Sequence, residues 1–172
     1  EPIITLVGPI EELTYVEARI LNIVNPQTLV ATKAFRVVEA AQGDTVIEMG
    51  LRRAQGGDAS IYHSRASYIA GVASTSNLEA GRLFGIPARG THAHALVMLG
   101  GDEKEAFRLW AQSQIKLGRN PTFLVDTYDS LRSGLPNAIA VAQEMGIRIG
   151  AIRLDSGDLA YLSKKCRRML DE

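Results

Sequence analysis

The chain has 172 residues, 46% hydrophobic and 22% charged, an ordinary globular balance with enough apolar surface for one sizeable core. Nineteen Lys and Arg offset nineteen Asp and Glu, so no overall charge draws it to nucleic acid or to an acidic membrane surface. The single cysteine excludes an internal disulfide; no apolar run reaches the roughly 18 residues of a membrane span, and no signal peptide opens the chain, so the expected location is the cytoplasm.

Ile3 to Val7 is a short β-branched run closed by Gly8-Pro9, which predicts a strand and a turn. From Glu11 to about Ala41 apolar residues recur at helical spacing: Leu13, Val16, Ile20 and Val24, then Leu29, Val30, Ala34 and Val37. Asn25-Pro26 is expected to divide this stretch into two helices, because proline disfavours the α conformation in the residue before it.

After Gly43 short apolar runs alternate with helix-like segments. Strands are predicted at Thr45–Met49, Ile86–Gly90, Thr122–Val125 and Ile147–Leu154. Helices are predicted at Thr75–Phe84, Glu103–Lys116 and Pro136–Met145, with a last one starting near Gly157. A Gly-rich loop is expected after Met49. This order implies an α/β fold with a parallel sheet. Cys166, in a Lys/Arg-rich helical stretch, reads as a packing thiol rather than a reactive one. The missing initiator Met and the terminal helix without a stop signal predict a piece of a longer protein.

The chemistry-bearing residues collect after the strands. Arg52, Arg53 and Gln55 follow the first, and Arg89, Thr91, His92 and His94 the second. Asp126, Thr127 and Asp129 follow the third, and Arg153, Asp155, Ser156 and Asp158 the fourth. One arginine after one strand would say little, since loops are polar in any globular protein. Four strands in succession with that polarity predict a single cleft, at the C-terminal face of a barrel or in the crevice of an open sheet. Arginines neutralise anions and carboxylates hold Mg²⁺ or sugar hydroxyls, so the residues by themselves indicate an α/β enzyme with an anionic substrate.

Four strings are more specific. Glu48-Met-Gly-Leu-Arg-Arg-Ala-Gln-Gly56 resembles the E-x-G-x-R-R-A-Q-G segment of the nicotinate phosphoribosyltransferases, and Gly90-Thr-His-Ala-His94 resembles their G-T-x-A-H motif. Val125-Asp-Thr-Tyr-Asp129 and Arg153-Leu-Asp-Ser-Gly-Asp-Leu159 are similar to two further segments, in family order. Ser67–Gly71 and Thr75–Asn77 fall where the family has like segments, so the resemblance covers essentially the whole chain.

That resemblance implies a type II phosphoribosyltransferase. Its expected fold is part of an irregular (β/α) barrel with parallel strands over residues 44–172. Residues 1–43 would be a short strand and helices linking it to a second, sheet-containing domain. The implied reaction joins nicotinate and phosphoribosyl pyrophosphate to give nicotinate mononucleotide and pyrophosphate, with Mg²⁺ as cofactor and coupling to ATP through a phosphorylated histidine. By the same resemblance His94 is that histidine, with His92 its rival; Asp126 is the acidic residue beside it and beside the metal. Arg153 lies against the pyridine ring and Asp155 accepts from ribose hydroxyls. Arg52, with Arg53 as second choice, contacts phosphate, and Ser76 and Thr91 complete the substrate contacts. His63, outside these motifs, is expected in a solvated loop. Nicotinamide-specific relatives carry an aspartate in the segment that here reads Ser74-Thr-Ser76, so the uncharged Ser76 favours the acid substrate.

Ala95 stands where many family members have serine. A homodimer of the complete protein is implied, with no nucleic acid or membrane partner. The alternatives are a quinolinate-type phosphoribosyltransferase, against which the Gly90–His94 motif argues, and a catalytically silent fragment that only binds a partner or nucleotide.

Overall fold

The computed structural model describes residues 2–172. They fall into two compact units, one reaching to Gly90 and the other running from Thr91 to Glu172.

The first unit opens on an extended segment and then α1, Ile10–Ala40. Glu11 and Glu12 sit in its first turn, where carboxylates offset the positive end of the helix. The strand expected at Ile3–Val7 is absent; Ile3 and Val7 are 85% and 94% exposed, and no strand among the described residues lies beside them to complete a ladder. The expected break at Pro26 is also absent, for α1 runs through it. Proline there removes one backbone hydrogen bond, but a long helix packed along a neighbour keeps the rest of its ladder. That neighbour is α2, Gly57–Ile69.

Helix α2 stands where only a Gly-rich loop was expected. Its buried residues are Ser60, Ser64, Ala66 and Ser67, so it has no apolar stripe to betray it. What it packs against is polar as well. Strand β1, Ile47–Glu48, pairs in parallel with β2, Ser74–Thr75, and a single-turn 3₁₀ helix, Leu51–Arg53, follows β1. The Glu48 carboxylate accepts from Ser64 Oγ at 2.9 Å and Thr75 Oγ1 at 2.5 Å, and from the Gly50 amide. One side chain thus ties together β1, β2, α2 and the loop that carries Arg52 and Arg53. Thr75, expected to open a helix, lies in β2; α3 is Leu78–Phe84, capped by Asn77 Oδ1 on the Ala80 amide and closed by Gly85 in the left-handed conformation. Of the strand expected at Ile86–Gly90, one bridge from Ala88 to Thr75 remains.

The second unit contains α4, His94–Leu99, and α5, Glu103–Lys116, then β3, Thr122–Leu124. A π turn at Ser130–Gly134 leads into α6, Leu135–Met145; β4, Ala151–Arg153, and α7, Leu159–Asp171, complete it. Asp102 caps α5 with bonds of 2.7 and 3.1 Å to the Lys104 and Glu105 amides, and so sets a start that the sequence pattern had located. β3 and β4 pair in parallel, Thr122 with Ala151 and Leu124 with Arg153. The α/β class with parallel strands therefore holds. Val97, Phe107, Phe123, Val125, Ala138 and Val141 form the fully buried core beneath this pair. Cys166 is buried on α7 and burial pushes its thiol pKa up, in keeping with a packing role.

Gly134 touches the backbone of Val125: a Cβ there would lie 1.9 Å from the Val125 carbonyl oxygen. We expect Gly134→Ala to destabilise the fold by about 3 kcal/mol or more, read as a lowered thermal midpoint. An unchanged midpoint would mean that the π turn can shift away from β3 without cost.

Candidate active site

Around the C-terminal ends of β3 and β4 five of the expected side chains, Thr91, His94, Asp126, Arg153 and Asp155, meet in one polar cluster. Asp126 leaves β3 with its side chain only 3% exposed. Its Oδ2 accepts from the Asp155 amide at 3.2 Å and from Ser156 Oγ at 2.5 Å, which fastens the loop after β4 to the end of β3. Its Oδ1 is buried with no hydrogen-bond partner. From the end of β4, Arg153 donates through Nη1 to Thr91 Oγ1 at 2.7 Å and through Nη2 to Asp155 Oδ1 at 2.9 Å. The guanidinium is the main reason that the Asp155 pKa lies below the usual carboxylate value, with a smaller contribution from His94.

His94 is the first residue of α4, and its side chain is 40% exposed. Nδ1 lies 3.2 Å from Thr127 Oγ1. Nε2 faces Asp155 Oδ2 at 3.6 Å and Asp126 Oδ1 at 3.9 Å, beyond ordinary hydrogen-bond length. The ring is thus held at one nitrogen, open at the other, and flanked by two carboxylates.

His92 has the opposite environment. It is 5% exposed, and its Nε2 accepts from the Leu124 amide at 2.9 Å. Nδ1 lies 3.3 Å from the Ala93 carbonyl. Both nitrogens are engaged and the ring is packed between Phe107 and Trp110, so His92 offers no nucleophile to a ligand.

Arg52, Arg53 and Ser76 belong to the first unit. Arg52 and Arg53 are exposed on the 3₁₀ turn, and Arg53 lines a cavity of about 320 Å³ with Glu48, Gln55, Ser60 and His63. His63 is therefore a half-buried residue of α2, not a loop residue, because the loop expected there is helix. Ser76 is half-buried and its amide donates to the Glu48 carbonyl at 2.9 Å. An apolar hollow of this unit, about 600 Å³ lined by Ile3, Leu6, Ile10, Leu13 and Ile20, contains none of these groups.

No family model matches the chain. Individual proteins do. It is 52% identical over 174 residues to the nicotinate phosphoribosyltransferase of Bacillus subtilis, across 100% of this chain and 35% of that protein. It is 46% identical over 173 residues to the nicotinate phosphoribosyltransferase pncB2 of Mycobacterium tuberculosis, across 99% of this chain and 36% of that one. The crystal structure of human nicotinic acid phosphoribosyltransferase aligns with a TM-score of 0.78 at 32% identity, covering 95% of this chain and 42% of the human one.

The chain belongs to the nicotinate phosphoribosyltransferase family. It spans about a third of the length of the curated relatives it matches. The resemblance carried by the four motifs is thus correct, and two of those motifs, Val125–Asp129 and Arg153–Leu159, meet in the cluster around His94. Two contacts in this cluster were not expected from the sequence: Thr127 on His94 and Ser156 on Asp126. Both are polar residues within the motifs, but nothing in a linear string says which neighbour a hydroxyl will meet.

Burial is the leading reason that the His92 pKa lies below the ordinary 6.5, helped by the nearby His94 and Arg153 and opposed by the bond to Ala93. In the unfolded chain this imidazole takes up a proton below about pH 6.5, whereas in the fold it resists until lower pH. Stability from this residue is therefore intact above that pH and is lost as the pH falls. Thermal midpoints measured from pH 7 to pH 5 should drop, and more steeply than in His92→Gln. Parallel slopes for the two proteins would remove this account of His92.

Proposed function

We propose that this chain is the central catalytic part of a nicotinate phosphoribosyltransferase. The complete enzyme would form nicotinate mononucleotide and pyrophosphate from nicotinate and phosphoribosyl pyrophosphate, in NAD biosynthesis. ATP hydrolysis would be coupled to this transfer through phosphorylation of His94. The observation that carries the reading is the setting of His94: half exposed, held at Nδ1, open at Nε2 and flanked by two aspartates. Family membership supports the substrate pair, since the relatives named above are nicotinate phosphoribosyltransferases. In the complete enzyme residues 44–172 would form part of an irregular (β/α) barrel and residues 1–43 the link to an N-terminal sheet domain. A cytoplasmic homodimer is the assembly that fits the family.

The geometry supports a role for each residue. With its proton on Nδ1 and given to Thr127 Oγ1, His94 presents the Nε2 lone pair to the γ-phosphorus of ATP. Nε2–P forms as the bond to the β–γ bridging oxygen breaks, and ADP leaves. Asp126 and Asp155 stabilise the positive imidazole ring that results. Arg153, already oriented by Thr91 and Asp155, offers its flat guanidinium to the nicotinate ring or carboxylate. Arg52, Arg53, Ser76 and Thr91 would supply further contacts to the phosphates and the ring. The nicotinate nitrogen is itself the nucleophile toward the ribose carbon, so no strong general base is required.

A magnesium ion fits the donor set. Mg²⁺ is ordinarily held by one or two carboxylates and substrate phosphates, with waters completing its shell. Asp126 has a buried oxygen without a partner, and Asp155 lies close by. Among the described residues no three His, Cys, Asp or Glu side chains form a cage that would bind the ion without substrate. Asp126 and Asp155 would hold it, and it would neutralise charge on the pyrophosphate leaving group.

The test is nicotinate mononucleotide formation by the complete natural protein, given phosphoribosyl pyrophosphate, Mg²⁺ and either nicotinate or nicotinamide, with and without ATP. Product from nicotinate, raised by ATP, is expected. His94→Ala should lose the ATP stimulation and keep a slow ATP-independent transfer. Product from neither ring would overturn the function, and loss of ATP hydrolysis in His92→Ala with His94→Ala unaffected would overturn the assignment of the histidine.

Arg153→Ala should raise the KM for nicotinate about 10-fold, on the order of 1.4 kcal/mol. An unchanged KM would take away its role.

A further inference from the structure

We infer that His92 is a positioning residue: its imidazole stands in for a neighbouring strand at the free edge of β3 and thereby sets where His94 meets Thr127 and Asp126. The inference rests on the function proposed for His94, and it goes beyond that function by naming what holds the histidine in place.

Among the described residues strand β3 has one strand partner, β4. The Val125 amide donates to the Arg153 carbonyl at 3.2 Å, so backbone groups one residue away along the strand point to the opposite edge. On that edge lie the Thr122 carbonyl and the Leu124 amide. Both are satisfied, and by side chains. Trp110 Nε1 donates to the Thr122 carbonyl at 2.9 Å, and His92 Nε2 accepts from the Leu124 amide at 2.9 Å. The two rings also pack on each other, 5.4 Å between centroids at 66°, and the imidazole lies 5.6 Å from the Phe107 ring, which is wholly buried. A buried amide left without an acceptor loses its hydration with nothing in return, so the fold favours keeping this contact.

The position of the contact gives it a consequence. Two residues beyond His92 is His94; two and three residues beyond Leu124 are Asp126 and Thr127. The peg therefore sits at equal reach from both halves of the cluster, and little backbone freedom remains between it and either. Moving His92 away from Leu124 would move the His94 imidazole relative to Thr127, without altering any group that touches a substrate.

The experiment compares His92→Phe and His92→Gln in the complete protein. Phenylalanine keeps the aromatic packing and removes the acceptor; glutamine keeps an acceptor. In His92→Phe, ATP-stimulated product formation should fall at least about 10-fold. ATP-independent transfer should stay within about two-fold, and His92→Gln should recover part of the loss. Crystal structures of the two variants supply a readout besides activity: the His94 Nδ1 to Thr127 Oγ1 distance, 3.2 Å here, should lengthen beyond hydrogen-bond reach in His92→Phe and be kept in His92→Gln. Full ATP stimulation in His92→Phe would overturn the inference, as would an equal fall of both activities in both variants. An unchanged His94–Thr127 distance in His92→Phe would overturn it whatever the activities. Failure of the function itself would be recognised separately, as absence of ATP stimulation in the unsubstituted protein.

Discussion

Two hydrogen bonds to a single oxygen of Asp126, from the Asp155 amide and from Ser156 Oγ, join the loops that leave β3 and β4. The backbone pairing of the two strands stops at Val125 and Arg153, so beyond that point no strand ladder holds the loops together and a side chain must take part. A carboxylate suits the task because it accepts several bonds, and charge-assisted bonds are stronger than neutral ones. With one oxygen used for structure, the other is left buried and unpartnered beside His94. The anchor of the loops and the open coordination point of the site are the two oxygens of one residue.

The same economy recurs around it. Arg153 is oriented by Thr91 and Asp155, and Asp155 in turn faces His94. Thr91, Arg153 and Asp155 hold one another, which limits the rotamers available before any ligand arrives. Preorganisation of this kind lowers the cost of binding and of placing charge. In the first unit Glu48 plays the corresponding part, since it gathers Ser64, Thr75 and the Gly50 amide and fixes the start of the Arg52–Arg53 turn. Its motif was recognisable, but the glutamate had been read as part of a signature and not as the knot beneath it.

The two histidines of the Gly90–His94 motif show how far apart like residues can be in role. A separation of two in an extended segment turns successive side chains the same way only if the backbone stays regular. Here α4 begins at His94, and the change of conformation sends one ring into the aromatic core and the other toward solvent and the aspartates.

What the sequence determined by itself is considerable. Apolar periodicity located α5 and the end of α3 at Phe84, and the apolar run Thr122–Val125 located β3, because each is a local preference of a few neighbouring residues. The ordered motifs placed the chain in its family, and four residues they single out, His94, Asp126, Arg153 and Asp155, lie together in the structure. Tertiary structure decided the rest. It kept α1 continuous through Pro26 and left Ile3–Val7 without a ladder, since a strand exists only where another can pair with it. It made a helix of Gly57–Ile69, whose buried serines are stabilised by hydrogen bonds to distant partners that no hydrophobic period reports. It also separated His92 from His94 and set Thr127 and Ser156 against their partners. Such choices rest on contacts between residues sixteen or more positions apart, and those distances are not written in any local pattern.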